Sequence, residues 1–195
     1  MQNSRSQKFR NKYRIKSIRL QNWDYGWNAA YFVTICTHRR LFHFGDVTDG
    51  IMGLSHIGCL AWRFWYEIPY HFPFVNLGAF VVMPNHVHGI VVIDKSNDGC
   101  NGTGGGAVET RHCLVSIKTI GQNRCRNQGK NTLSSIIGSY KSVVSKYAHK
   151  INPDFAWQSR FYENIIRDDR SYDRISNYID DNPLRWNGDK FYRTS

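Results

Sequence analysis

Two histidines separated by one residue, His86-Val87-His88, lie in an apolar run directly after Met83-Pro84-Asn85. Residues two apart on a strand project from the same face, so both imidazoles can converge on one ion. Val87 then points the other way, into apolar packing. Imidazole suits several divalent ions, and two such ligands leave coordination positions open for substrate oxygens. Cys100, His112, Cys113 and Cys125 form a second group of metal-type residues. They lack any Cys-x-x-Cys pair and are not read as a zinc site. The five cysteines are an odd count, and free thiols in a reducing cytoplasm are the expectation.

The elements that must position the pair can be read from periodicity. Ala30–His38 is rich in β-branched and aromatic residues and reads as a central strand buried on both faces, with Leu41–Phe44 extending or pairing with it. Ile57–Pro69 reads as a helix with Leu60, Phe64 and Ile68 on one face. Phe74–Val82 and His86–Ile93 form two strands joined by the Pro-Asn turn. Residues 97–130 are rich in Gly and Asn and read as a long insertion. Thr132 caps a helix running to about Lys150, with Leu133, Ile136, Tyr140, Val144 and Tyr147 on its core side. Phe155–Ile166 looks extended, and Asp168–Asp181 is a last helix stopped at Asn182-Pro183. The order strand, helix, strand, strand, helix, strand, helix predicts an α+β fold. Its core is a ferredoxin-like antiparallel sheet with helices on one face, plus an added C-terminal helix.

A length of 195 residues and a hydrophobic fraction of 41% suit one domain with a sizeable core. The expected organisation is a basic arm over 1–27, a domain over 28–187 that includes the 97–130 insertion, and a tail over 188–195. Lys and Arg total 26 against 15 Asp and Glu, a formal charge of +11. That balance favours a polyanionic partner, nucleic acid first. The first twenty residues hold seven of these bases and no acid, the pattern of an arm that lies along phosphates. No apolar run is long enough to span a bilayer, and the N-terminus lacks the apolar core of a signal peptide. No membrane partner and a cytoplasmic location are expected.

The segment VVMPNHVHGIVVI resembles the HUH motif of the single-tyrosine transposases, where U is a hydrophobic residue. YFVTICTHRR and WQSRFYENIIRDDRSYDRISNYIDDNPLRW are similar to the first strand and C-terminal segment of the same proteins, most closely those of the REP-associated tyrosine transposase branch. The likeness covers roughly residues 28–96 and 131–187, with three motifs in the family's order. It implies that His86 and His88 bind the metal, Mg²⁺ or Mn²⁺. It implies further that Tyr178 is the nucleophile and that Asn182 brings an amide near the ion. Residues i and i+4 share a helix face, so Tyr178 and Asn182 can approach one ion together. The implied substrate is single-stranded or hairpin DNA, cut through a 5′-phosphotyrosine intermediate that conserves the phosphodiester energy for rejoining.

Tyr140 and Tyr147 sit at core spacing, Tyr162 reads as a strand residue, and Tyr172 lies on another helix face than Tyr178. Lys141, Lys146, Arg160, Arg167 and Arg185 are candidates for phosphate contact. Trp157 and Trp186 are either stacking platforms or buried. Two other readings fit the same residues: a replication-initiator or relaxase-like nickase, and a domesticated nucleic-acid-binding protein without cleavage activity. A monomer is favoured over a homodimer, because the tyrosine helix follows its strand closely enough to reach its own histidines.

Overall fold

A computed structural model describes residues 23–96 and 131–192, together with two short segments of the arm. In the arm, β1 (Lys8–Phe9) and β2 (Lys12–Tyr13) pair antiparallel. The rest of the arm, the 97–130 insertion with Cys100, His112, Cys113 and Cys125, and the last three residues lie outside the described residues.

The main sheet is built on β3 (Ala29–Cys36), whose alternating side chains are buried on both faces. After it, the chain passes through a short 3₁₀ turn, His38–Arg40, and a hairpin of β4 (Gly45–Thr48) and β5 (Ile51–Leu54). Helices α1 (His56–Tyr66) and α2 (Ile68–His71) lead to β6 (Val75–Met83) and β7 (His86–Ile93). Then come α3 (Leu133–Ala148), β8 (Tyr162–Ile166), α4 (Asp169–Asp180) and a final 3₁₀ segment, Pro183–Gly188. The sheet order is β6-β7-β3-β8, antiparallel throughout. This is the ferredoxin-like arrangement expected from the element order, with β3 in the interior.

Helix starts follow their capping residues. Ser55 Oγ accepts from Gly58 N at 3.0 Å, and Asp168 Oδ1 accepts from Ser171 N at 2.8 Å. Thr132 and Ser135 form a reciprocal capping box at the start of α3. On one face of the sheet, Tyr31, Val33, Ile35, Val87 and Val91 pack with Ile57, Ala61 and Trp65 of α1 and Ile136, Tyr140 and Val144 of α3. On the other, Ile90, Ile166 and Phe32 pack with Ile179 and Tyr178 of α4. Two helices thus cover one face while the added helix covers the other, the face to which His86 and His88 belong.

Several local expectations are corrected. Leu41–Phe44 is not part of the sheet, because Arg39 and Arg40 take left-handed backbone angles (φ 54° and 57°) that carry the chain away from β3. The hairpin β4-β5 had no sequence expectation, although Asp49-Gly50, both at positive φ, is the two-residue turn that matches strand twist. Within 155–166 only Tyr162–Ile166 joins the ladder, apart from a single bridge between Thr37 and Trp157. On α1 the buried stripe is Ile57, Ala61, Trp65 and Ile68 of the following helix, with Phe64 only partly covered. Tyr147 is 38% exposed rather than core, and Ala148 takes the buried position beside it.

Trp65 reaches the centre of this core by a close approach. Its ring stacks on Phe80 at 4.4 Å between centroids and covers the backbone of Gly89. A Cβ at residue 89 would lie 2.3 Å from Trp65 Cζ2. Gly89→Ala should therefore overpack the core and cost about 1–3 kcal/mol. Chemical denaturation would register this as a lower midpoint. An unchanged midpoint would show that the indole can shift without cost.

Candidate metal centre and tyrosine

The antiparallel register sets Thr34 opposite His88 and Cys36 opposite His86, all on the α4 face. His86 is fully buried and His88 is 1% exposed. Their Nε2 atoms face each other at 3.0 Å. Each Nδ1 has an oxygen partner: His86 Nδ1 to Asn85 Oδ1 at 2.8 Å, and His88 Nδ1 to Thr34 Oγ1 at 2.8 Å. The Asn85 amide is oriented by its own donors, since Nδ2 gives hydrogen bonds to the carbonyls of Phe191 (2.9 Å) and Arg40 (3.3 Å). Its Oδ1 must accept, so His86 carries its proton on Nδ1 and turns the Nε2 lone pair towards His88. Thr34 can donate or accept and so serves either tautomer of His88. Such partners fix ring orientation in the way metal-ligating histidines require.

Burial and the neighbouring His88, Arg40 and Lys190 hold His86 well below the ordinary imidazole range. Burial and Lys190 push His88 down to about 3. Both rings are therefore neutral at physiological pH, the form in which imidazole ligates. The two Nε2 atoms are close enough for both rings to share one ion. His86, His88 and Asp189 offer ligand atoms that all lie within 4.8 Å of one another, a cluster that could hold a metal ion. Asn182 is 2% exposed, and its Oδ1 is buried without a hydrogen-bond partner. The donor set of imidazole nitrogens and side-chain oxygens fits a divalent cation.

Tyr178 comes to the same place from α4. Its hydroxyl is 3.4 Å from His88 Nε2, and its ring meets those of His88 and Phe32 at 5.4 and 6.1 Å. Burial first, then the Asp189 carboxylate, raise its pKa above the ordinary phenol value, while a hydrogen bond with Asn182 acts against them. The phenol is therefore neutral and needs a nearby positive charge to become a nucleophile.

His86, His88, Tyr178 and Asn182 are thus gathered in one chain. Asp189, in the segment read as a tail, had no sequence expectation. It is held by Phe191 N at 2.6 Å and by Asn182 Nδ2 at 3.5 Å. Phe191 packs against the His86 ring at 4.5 Å, with the Arg40 guanidinium 4.8 Å from the Phe191 ring centre. Trp186 is buried beside His86, and Trp157 packs against the main core.

The five basic candidates are dispersed. Lys141 and Lys146 are on α3, across the sheet from the histidines, and Lys141 Nζ is bonded to the Gln158 carbonyl at 2.6 Å. Arg160 and Arg167 are exposed at the two ends of β8. Arg185 is beside the tyrosine and pairs with Asp181 at 2.8 Å. With Arg174, Asn177, Tyr178 and Asp181 it lines an open depression of about 520 Å³.

Comparison with solved structures relates this architecture to a REP-associated tyrosine transposase bound to a REP hairpin. The TM-score is 0.54 and the sequence identity 18%, over 90% of this chain and 77% of that one. The two chains share the same fold. The chain itself belongs to one family with an uncharacterized protein of Haemophilus influenzae, 35% identical over 178 residues, which span 91% of this chain and 92% of that protein. No family model matches the chain. Among the described residues, no helix is long and apolar enough to cross a membrane.

Proposed function

We propose that this protein is a metal-dependent, single-strand DNA transposase that nicks and rejoins strands by tyrosine transesterification. The observation that carries this is the 3.4 Å approach of Tyr178 Oη to His88 Nε2, with Asn182 beside the tyrosine. In this reading His86 and His88, with Asp189 or Asn182, hold Mg²⁺ or Mn²⁺. When bound, the ion would polarise a phosphate oxygen and favour the phenolate.

Tyr178 Oη attacks phosphorus, the bond from phosphorus to the 3′-oxygen breaks, and a tyrosyl–phosphorus bond replaces it. The phenol proton passes to solvent, and the departing 3′-oxygen takes one up to become a hydroxyl. A second 3′-hydroxyl reverses the exchange and joins a new strand, with the number of phosphoester bonds unchanged. His88 and Asn182 hold the phenol ring and hydroxyl in line, and Phe32 supports the ring from the sheet. Because one chain supplies both histidines and tyrosine, a monomer is a sufficient catalytic unit. The hairpin bound by the similar transposase supports hairpin-flanked DNA as the substrate class, and the cytoplasm is the compartment this reading assumes.

The deciding experiment is incubation with labelled single-stranded hairpin DNA and Mg²⁺ or Mn²⁺. An SDS-resistant protein–DNA adduct is expected. Its absence with both ions, on hairpins carrying varied flanks, would defeat the proposal.

Unpaired bases also have a landing place. Tyr162 is 48% exposed and lies edge-on to Phe32 at 6.4 Å, while Phe32 itself stacks on His88 at 5.3 Å. An exposed ring this close to the site can stack a splayed base, worth about 1–3 kcal/mol. Tyr162→Ala should weaken single-strand binding by roughly tenfold or more and leave blunt duplex binding unchanged. Equal losses on both substrates in a fluorescence anisotropy titration would remove Tyr162 from this role.

A further inference from the structure

The open depression beside Tyr178 is formed by one stripe of α4 and its extension. Arg174, Asn177, Tyr178 and Asp181 stand at helical positions i, i+3, i+4 and i+7, so they share a face, and Arg185 follows one turn later. Nothing in the histidine cluster uses the two arginines. Arg174 is exposed, one helical turn before the tyrosine. Arg185 is also exposed and spends one guanidinium nitrogen on Asp181, which leaves most of its five N–H donors directed at solvent. Asp181 is the sole acid on this lining, and Arg185 already neutralises it.

Resting on the transposase reading, we propose that this depression is the seat of the DNA backbone flanking the scissile phosphodiester. Arg174 and Arg185 contact the phosphates on either side of the one presented to Tyr178. The substrate class is an unpaired strand. Tyr178 is half-buried against Phe32 and His88, so the reacting phosphate must come down to the helix surface. Two cations along the stripe would hold its neighbours there. Arginine suits the task because its planar fork meets phosphate oxygens in pairs. Arg174 and Arg185 are then positioning residues for the reaction, acting through the strand.

The test measures binding of a short labelled oligothymidylate to the full chain in the presence of chelator, over a series of salt concentrations. Each single-strand phosphate contact contributes about 0.7 to the slope of log affinity against log salt. Arg174→Ala and Arg185→Ala should each lower that slope by about 0.7 and weaken binding roughly tenfold. Arg174→Lys should restore the slope, since a point charge still releases a counterion. Arg63→Ala removes the same charge from exposed α1 and should leave both quantities unchanged. The proposal is overturned if the double variant Arg174→Ala/Arg185→Ala keeps the wild-type slope and affinity, or if Arg63→Ala matches its effect. This outcome is separable from the function proposed above. A wild-type protein that forms the covalent adduct while the arginine variants bind normally would remove only this surface. Altered salt slopes with no wild-type adduct on any hairpin would retain the surface and remove the chemistry.

Discussion

Tyr178→Phe should abolish the covalent protein–DNA adduct and strand joining while leaving DNA binding and the fold in place. The substitution removes one oxygen and keeps the ring that packs on Phe32 and His88. The hydroxyl's contact to His88 is long, at 3.4 Å, so its loss should change stability by no more than about 1 kcal/mol. The chemical loss is of another order. Among the described residues Tyr178 is the tyrosine whose hydroxyl meets the histidine pair, so cleavage should fall by several orders of magnitude. Tyr140 is no substitute: it is buried on the opposite face of the sheet and donates its hydroxyl to the Ala61 carbonyl at 2.9 Å. Peptide mapping of the wild-type adduct should return the segment from Ile175 to Pro183. An adduct on Tyr140, Tyr147 or Tyr172, or one formed by the phenylalanine variant, would refute the assignment.

His86→Ala should remove cleavage together with the stabilisation conferred by Mn²⁺. For the wild type, an ion at about a hundred times its dissociation constant should add about 2.7 kcal/mol. In a chain of this size that is a rise in Tm of roughly 5–10 °C. The variant should show no ion-dependent rise. Its baseline will also be lower, because truncation leaves space beneath Phe191 and strips Asn85 Oδ1 of its donor. The informative quantity is therefore the difference with and without ion, measured by differential scanning fluorimetry. A full Mn²⁺ response in the variant, or wild-type cleavage by the variant in chelator, would exclude His86 as a ligand.

Local periodicity makes only part of the site legible in the sequence. His86 and His88 follow from the two-residue repeat of a strand. Family likeness singled out Tyr178 and Asn182, and the i,i+4 spacing adds only that such a pair can approach one ion together. Asp189 and Arg174 were not legible. Asp189 reaches the histidines through a 3₁₀ segment whose direction depends on Trp186 and Phe191 packing, a tertiary matter with no period to read. Arg174 becomes visible only when α4 is laid on the sheet and its exposed stripe is known. The helix stripes failed in a related way. Both Phe64 and Trp65 are aromatic, and only the gap at Gly89 decides which one the core admits. The left-handed pair Arg39 and Arg40, which ends the extension of β3, is likewise invisible in a run of ordinary side chains.

The sheet order also governs when the protein can become whole. β3 is synthesised first among the four long strands, yet one of its edges is closed by β7 and the other by β8, which begins 126 residues after Cys36. Until β8 arrives, Phe32 and Thr34 lie on an open strand edge, the kind of surface that pairs with other chains. Both partners of β3 are distant in sequence, and closing long loops comes before any reward from pairing, so folding should be slow for a domain of this size. An incomplete chain released before Tyr162 would have the histidines but also a β3 with one edge left open. It would tend to associate with its own kind instead of remaining as a soluble half-enzyme.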